Sequence, residues 1–119
     1  MKNTISLNRN EQFLLVYRNG KRIYHKYFVL HYLPNGLSVN RLGFRVGKKL
    51  AKAVKRNRIR RLLKESYRLR ELYIRSGYDI ILAARDESLA VDTLEETMHA
   101  TDKLFARAGL FCDFGREEI

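Results

Sequence analysis

Residues 41–70 read RLGFRVGKKLAKAVKRNRIRRLLKESYRLR, and three local patterns follow one another there. Alternation over residues 37–46 predicts a strand, Gly47-Lys48-Lys49 interrupts it, and a helix starts between Ala51 and Val54. That helix runs past Tyr67, because Ile59, Leu62, Leu63, Ser66 and Tyr67 fall at i, i+3, i+4, i+7 and i+8 and make one buried face. At 100° per residue Asn57, Arg61, Lys64 and Arg68 lie on the opposite side, with Arg58 and Arg60 flanking them. Arg56 projects nearer the apolar edge, where it can reach back along the helix start. The stretch carries thirteen Lys or Arg against one acid, Glu65. Like charges at that density repel one another unless a polyanion neutralises them, so the partner to look for is nucleic acid.

Working outward toward the N-terminus, residues 22–33 (RIYHKYFVLHYL) are β-branched, aromatic and alternating, which predicts a strand. Pro34-Asn35-Gly36 then predicts a turn, so residues 22–33 and 37–46 are expected to pair as an antiparallel hairpin. Phe28, Leu30 and Tyr32 share one face of that strand, and Val29, His31 and Leu33 the other. Before it, Asn8 or Asn10 can cap a short helix to about Arg18, with Gly20 past its end. Phe13, Leu14 and Tyr17 share a face of this helix. Leu14 is expected in the core; Phe13 and Tyr17, set between Arg9, Arg18 and Lys21, suit either core packing or stacking on single-stranded bases.

Toward the C-terminus, Ser76-Gly77 breaks the helix and residues 78–84 (YDIILAA) form a buried strand. Asp92-Thr93 ahead of Glu95-Glu96 is a capping box for a last helix to about Ala108, with Leu94, Met98, Leu104, Phe105 and Ala108 along one side. The order αββαβα makes a two-layer α/β sandwich, a small mixed sheet with helices packed on it. One domain over residues 1–119 is expected, with residues 1–7 and 110–119 loose.

Net charge is +11, divided as +17 over residues 1–70 and −6 over the rest, which implies one binding face. A single cysteine, Cys112, excludes an internal disulfide and a cysteine-rich metal site. No segment approaches the roughly 18 apolar residues of a membrane span and no secretory h-region is present, so a cytoplasmic protein without membrane contact is expected. His25, His31 and His99 are scattered, Asp79 and Asp86 are isolated, and no Ser/His/Asp or HExxH pattern occurs. Gly47-Lys48-Lys49 is no phosphate loop: Gly43 and Gly47 are one residue too close, and Lys49 stands where Ser or Thr would hold magnesium. The chain's own groups are therefore expected to bind and position, with no catalytic residue and no metal site among them.

The run Ala53-Val54-Lys55-Arg56-Asn57-Arg58-Ile59-Arg60-Arg61-Leu62-Leu63-Lys64-Glu65 resembles the signature of the bacterial ribonuclease P protein component, with Arg56-Asn57-Arg58 as its core. Residues 41–49, 10–20 and 27–30 are similar to the family's second strand and turn, first helix and first strand. The resemblance implies a left-handed βαβ crossover, which periodicity does not give, since right-handed is the strong default. It implies a holoenzyme in which a catalytic RNA, holding magnesium, cuts the 5′ leader from precursor tRNA and leaves 5′-phosphomonoester ends. The partners implied are that RNA and precursor tRNA, with no protein partner required. Lys48, Lys49, Lys52, Arg56, Asn57, Arg58, Arg60, Arg61, Lys64 and Arg68 match the face that meets the RNA. Arg9, Phe13, Tyr17, Phe28, Val29 and His31 match the cleft that holds the leader, with Tyr17 where Phe is common and His31 where Tyr can occur. A DNA-binding regulator using residues 54–68 as a recognition helix is the rival reading, against which stands the lack of a short preceding helix and tight turn. A structural RNA binder of ribosomal type is a third.

Overall fold

The computed structural model describes residues 2–112. Its sheet is built around the apolar run of residues 78–84, which becomes β5 (Tyr78–Ala84). Ile80, Ile81 and Leu82 are fully buried there, because helices cover both faces. β5 pairs in parallel with β4 (Asn40–Arg45) and antiparallel with β3 (Phe28–Pro34). β1 (Thr4–Ser6) and β2 (Lys21–Tyr24) complete the order β1-β4-β5-β3-β2. The helices are α1 (Asn10–Asn19), α2 (Ala53–Arg70) and α3 (Leu94–Ala108). On one face Phe28, Leu30, Leu42, Ile80 and Leu82 pack against Ile59, Leu63 and Tyr67 of α2 and Leu104 and Phe105 of α3. On the other, Ile81 meets Val16 of α1 and Leu7, with Phe13, Tyr17 and Leu33 at the margin.

Two local signals read correctly. α2 begins where expected, and its predicted buried face holds, with Leu62 half-buried at its margin. Thr93 caps α3: its hydroxyl accepts from the Glu96 N–H at 3.1 Å and donates to Glu96 Oε1 at 3.0 Å. Gly109 ends α3 at φ 70°, a left-handed conformation that favours glycine.

Other expectations fail for identifiable reasons. Residues 22–33 are two strands, β2 and β3, folded into a hairpin around His25-Lys26-Tyr27, where the His25 N–H donates to Phe28 O at 2.9 Å. β3 and β4 are not neighbours, because β5 lies between them. The Pro34-Asn35-Gly36 turn instead crosses the start of β5. The Asn35 amide Nδ2 donates to Val39 O at 3.2 Å and to Asp79 Oδ1 at 3.0 Å, and the Asn35 N–H reaches Gly77 O. Asp79, isolated in sequence, is buried in a two-bond pair with Arg41, Nε–Oδ1 2.7 Å and Nη2–Oδ2 2.8 Å.

Residues 4–6, expected to be loose, pair in parallel with β4. The Glu71 carboxylate accepts the Lys2 and Asn3 N–H groups and the Thr4 hydroxyl shares a 2.8 Å bond with Tyr67 Oη. Burial pushes the Glu71 carboxyl up, but hydrogen bonds from Thr4 and these amides outweigh it and hold the group below its usual range. At the other end Leu110 is buried and Phe111 bridges Ile74, so residues 110 and 111 are fixed as well; residues 113–119 lie outside the described residues. In α1 the buried residue is Val16, while Leu14, expected in the core, is half exposed beside a groove. In α3 the buried stripe is Thr97, Ala100, Thr101, Leu104 and Phe105, with Leu94 and Met98 at its edge. The two threonines tolerate burial because their hydroxyls donate to the helix carbonyls of Thr93 and Met98. The element order is therefore βαβββαβα, with α2 crossing between the parallel neighbours β4 and β5.

Candidate nucleic-acid interface

α1 covers only part of its face of the sheet, and beside it runs a groove of three hollows that share walls. The widest, ≈ 940 Å³, lies between β1, Phe13 and the side chains of Asn57, Arg60, Arg61 and Lys64. The second shares Phe13, Phe44 and Arg60 with it and adds Tyr17, Arg45 and Lys48. The third shares Tyr17 and Arg45 and continues over His31, Lys49, Ala83 and Asp86. A basic helix face thus opens directly into an aromatic-lined channel.

The aromatic floor is set by backbone geometry. A Cβ on Gly43 would stand 2.5 Å from Phe13 Cζ, so the absence of a side chain lets the Phe13 ring lie on β4. Tyr17 stands 6.3 Å from Phe13, ring centre to ring centre, and meets His31 edge to face at 4.8 Å. Phe13 and Tyr17 are half-buried, which leaves part of each ring to the groove. The Tyr17 hydroxyl oxygen and His31 Nδ1 have no hydrogen-bond partner among the described residues. Burial raises the Tyr17 pKa, opposed by the nearby Arg45 guanidinium.

Burial, reinforced by Arg22, lowers the His31 pKa to about 4, so the ring is neutral at pH 7 and offers no charge to a phosphate. A base with a depressed folded pKa binds fewer protons folded than unfolded between pH 6.5 and 4, so its contribution is complete above 6.5 and declines as pH falls. Between pH 7 and pH 5 the wild type is expected to lose about 2 kcal/mol more stability than His31→Phe. Urea unfolding of both proteins at the two pH values checks this; equal losses would contradict it.

Among the residues expected to hold the leader, Phe28 must be withdrawn. It is 1% exposed in the core against α2 and α3, and alternation along β3 puts it on the face opposite His31. Val29 is buried on the groove side, paired with Ala83. Arg9 precedes α1, its backbone N–H donating to Gln12 Oε1 at 3.2 Å, and its side chain is exposed outside the three hollows. Arg45 and Phe44 were missed. Arg41, Gly43 and Arg45 alternate along β4 and so share the groove face, which the sequence pattern contained.

The basic residues of α2 and its approach divide by what they touch. Lys48, Lys49, Asn57, Arg60, Arg61 and Lys64 line the groove, and Lys52 is exposed at the helix start. Arg56 turns back to Ala51 O at 3.1 Å and fixes the basic loop, as its place near the apolar edge suggested. Arg58 donates to Asp92 Oδ1 at 3.0 Å and Asp92 O at 2.6 Å, tying α2 to the start of α3. Arg68 pairs with Glu65. α2 also starts with no acid in its first turn and no side-chain cap, leaving Lys52 at the positive end of the helix dipole, while Lys55 is met by Asp92 at 3.9 Å. That arrangement opposes helix stability and favours an external anion. No group of three or more His, Cys, Asp or Glu able to hold a metal comes together among the described residues.

The family model for Ribonuclease P matches residues 1–109. The ribonuclease P protein component of Caldanaerobacter subterraneus subsp. tengcongensis is 42% identical over 107 residues, covering 88% of this chain and 90% of the relative. Among solved structures, the RNase P protein of Staphylococcus aureus superposes with a TM-score of 0.82 at 27% identity, covering 92% of this chain and 98% of that one. That of Thermotoga maritima gives 0.78 at 30% identity, covering 86% and 96%.

Proposed function

Because the chain belongs to the ribonuclease P protein family, we propose that it works through two adjoining surfaces, one for each RNA it meets. The family supplies the protein subunit of ribonuclease P, an endoribonuclease holoenzyme that matures the 5′ ends of tRNA. On this reading Lys48, Lys52, Asn57, Arg60, Arg61 and Lys64 grip the phosphates of the catalytic RNA, and Phe13, Tyr17, Arg45, Val29 and His31 hold the 5′ leader of precursor tRNA as a single strand. Rings stack unpaired bases regardless of sequence, and Arg45 and Lys49 offset the phosphate charge. Bond cleavage belongs to the catalytic RNA, which holds the magnesium; side chains of this protein orient the leader and shield its charge. The work lies in the cytoplasm with precursor tRNA, and the β4–α2–β5 crossover carries the family's left-handed sense.

The observation that carries the reading is the continuity of the groove from Lys64 and Arg61, past Phe13, to His31. Reconstitution with a bacterial catalytic RNA at low magnesium tests it. Cleavage of precursor tRNA is expected to exceed that of the RNA alone; an unchanged rate would sink the reading.

A further inference from the structure

The face of the sheet that floors the leader groove does not end at His31. Residues opposite one another in paired strands share a face, so the register defines rows across the sheet. One row runs Arg45, Ala83, Val29, Tyr24, and the next runs Gly43, Ile81, His31, Arg22. The first begins in the groove and reaches the free edge of β2, and exposure rises along it from 8% at Val29 to 55% at Tyr24. At that edge the Arg85 guanidinium lies 5.8 Å from the centre of the Tyr24 ring. It is steadied by donation to His25 O at 3.1 Å. Arg107 donates to Tyr24 O at 2.9 Å, which fixes the strand end from the α3 side. Arg22 and Lys26 are exposed beside them. The acid at hand is Glu87, 3.7 Å from Arg85 in an exposed pair that a phosphate can displace at little cost.

We propose that this edge is a distal nucleotide subsite of the leader channel, in which Tyr24 stacks a leader base and Arg22 and Arg85 meet the neighbouring phosphates. The inference rests on the reading of the groove as the leader site and extends it. Direction follows from that reading. The α2 end of the groove adjoins the catalytic RNA, where the scissile bond lies, so the β2 edge receives nucleotides farther from the cut. An exposed tyrosine with a guanidinium at its ring and cations around it is the chemistry that holds a single strand without reading its sequence.

The test measures affinity of the reconstituted holoenzyme for mature tRNA, for precursor with a leader just long enough to pass His31, and for precursor extended by several further nucleotides. Wild type is expected to bind the extended leader about tenfold more tightly than the short one. Tyr24→Ala should abolish that gain while leaving short-leader and mature-tRNA affinity unchanged, and Tyr24→Phe should keep it. Arg85→Ala should remove part of it and flatten its salt dependence. Equal loss on short and extended leaders, loss of assembly with the catalytic RNA, or no gain from extension in wild type would each overturn the subsite. Phe13→Ala serves as the separate control: if it leaves short-leader binding intact, the underlying reading of the groove fails instead.

Discussion

Arg41→Ala is expected to lower folding stability by about 3–5 kcal/mol, the cost of leaving one member of a buried ion pair without its partner. Asp79 is 2% exposed and takes two bonds from Arg41 and one from Asn35 Nδ2. These contacts tie the start of β4, the turn after β3 and the start of β5 into one node. Without the guanidinium the Asp79 carboxylate would be buried with Asn35 as its remaining side-chain donor. Thermal unfolding should move down by roughly 10 to 20 °C for a domain of this size. A change under 1 kcal/mol would contradict this assignment.

The second large effect belongs to the exposed face of α2. Replacing Arg60, Arg61 and Lys64 together with Ala removes three cations that line one wall of the groove and make no ion pair among the described residues. Each phosphate contact contributes about 0.7–0.9 to the slope of log affinity against log salt. Assembly with the catalytic RNA should therefore weaken about 100-fold near 0.15 M salt, with the slope shallower by about 2 to 3. Thermal unfolding should barely move, since surface substitutions away from the core and caps are nearly neutral. Arg58→Ala behaves oppositely in this account. It leaves Asp92 with Lys55 alone and loosens the α2–α3 junction, so its effect appears first in stability. An unchanged salt slope in the triple variant would remove these residues from the interface.

What the sequence made legible was whatever local periodicity or capping decides. The 3.6-residue pattern of α2, the apolar run of β5 and the Thr93 cap needed no tertiary partner to be read. The pairing of the strands was a different matter. Two alternating segments around Pro34-Asn35-Gly36 argue locally for a hairpin, yet the contacts that place β5 between them join Asn35 and Arg41 to Asp79, 44 and 38 residues away. β1 is three residues long and carries no pattern of its own. At the site, alternation along β3 already separated Phe28 from His31, and the match to the family by position overrode it. Arg45 was hidden for the converse reason: it was counted with the basic stretch, while its strand parity aimed it into the aromatic groove. The division of labour among Arg56, Arg58 and Arg60 depended on where Ala51 and Asp92 come to rest, which spacing along a helix does not fix.

The claim that the two surfaces do different work is tested most directly at Phe13, whose ring lies on Gly43 midway along the groove. The measurement is the affinity of the reconstituted particle for precursor and for mature tRNA, with wild-type protein and with Phe13→Ala. The variant is expected to assemble normally with the catalytic RNA, bind mature tRNA as wild type does, and lose about tenfold of its affinity for precursor. An equal fall on both substrates, or impaired assembly, would make Phe13 a core residue and contradict the account.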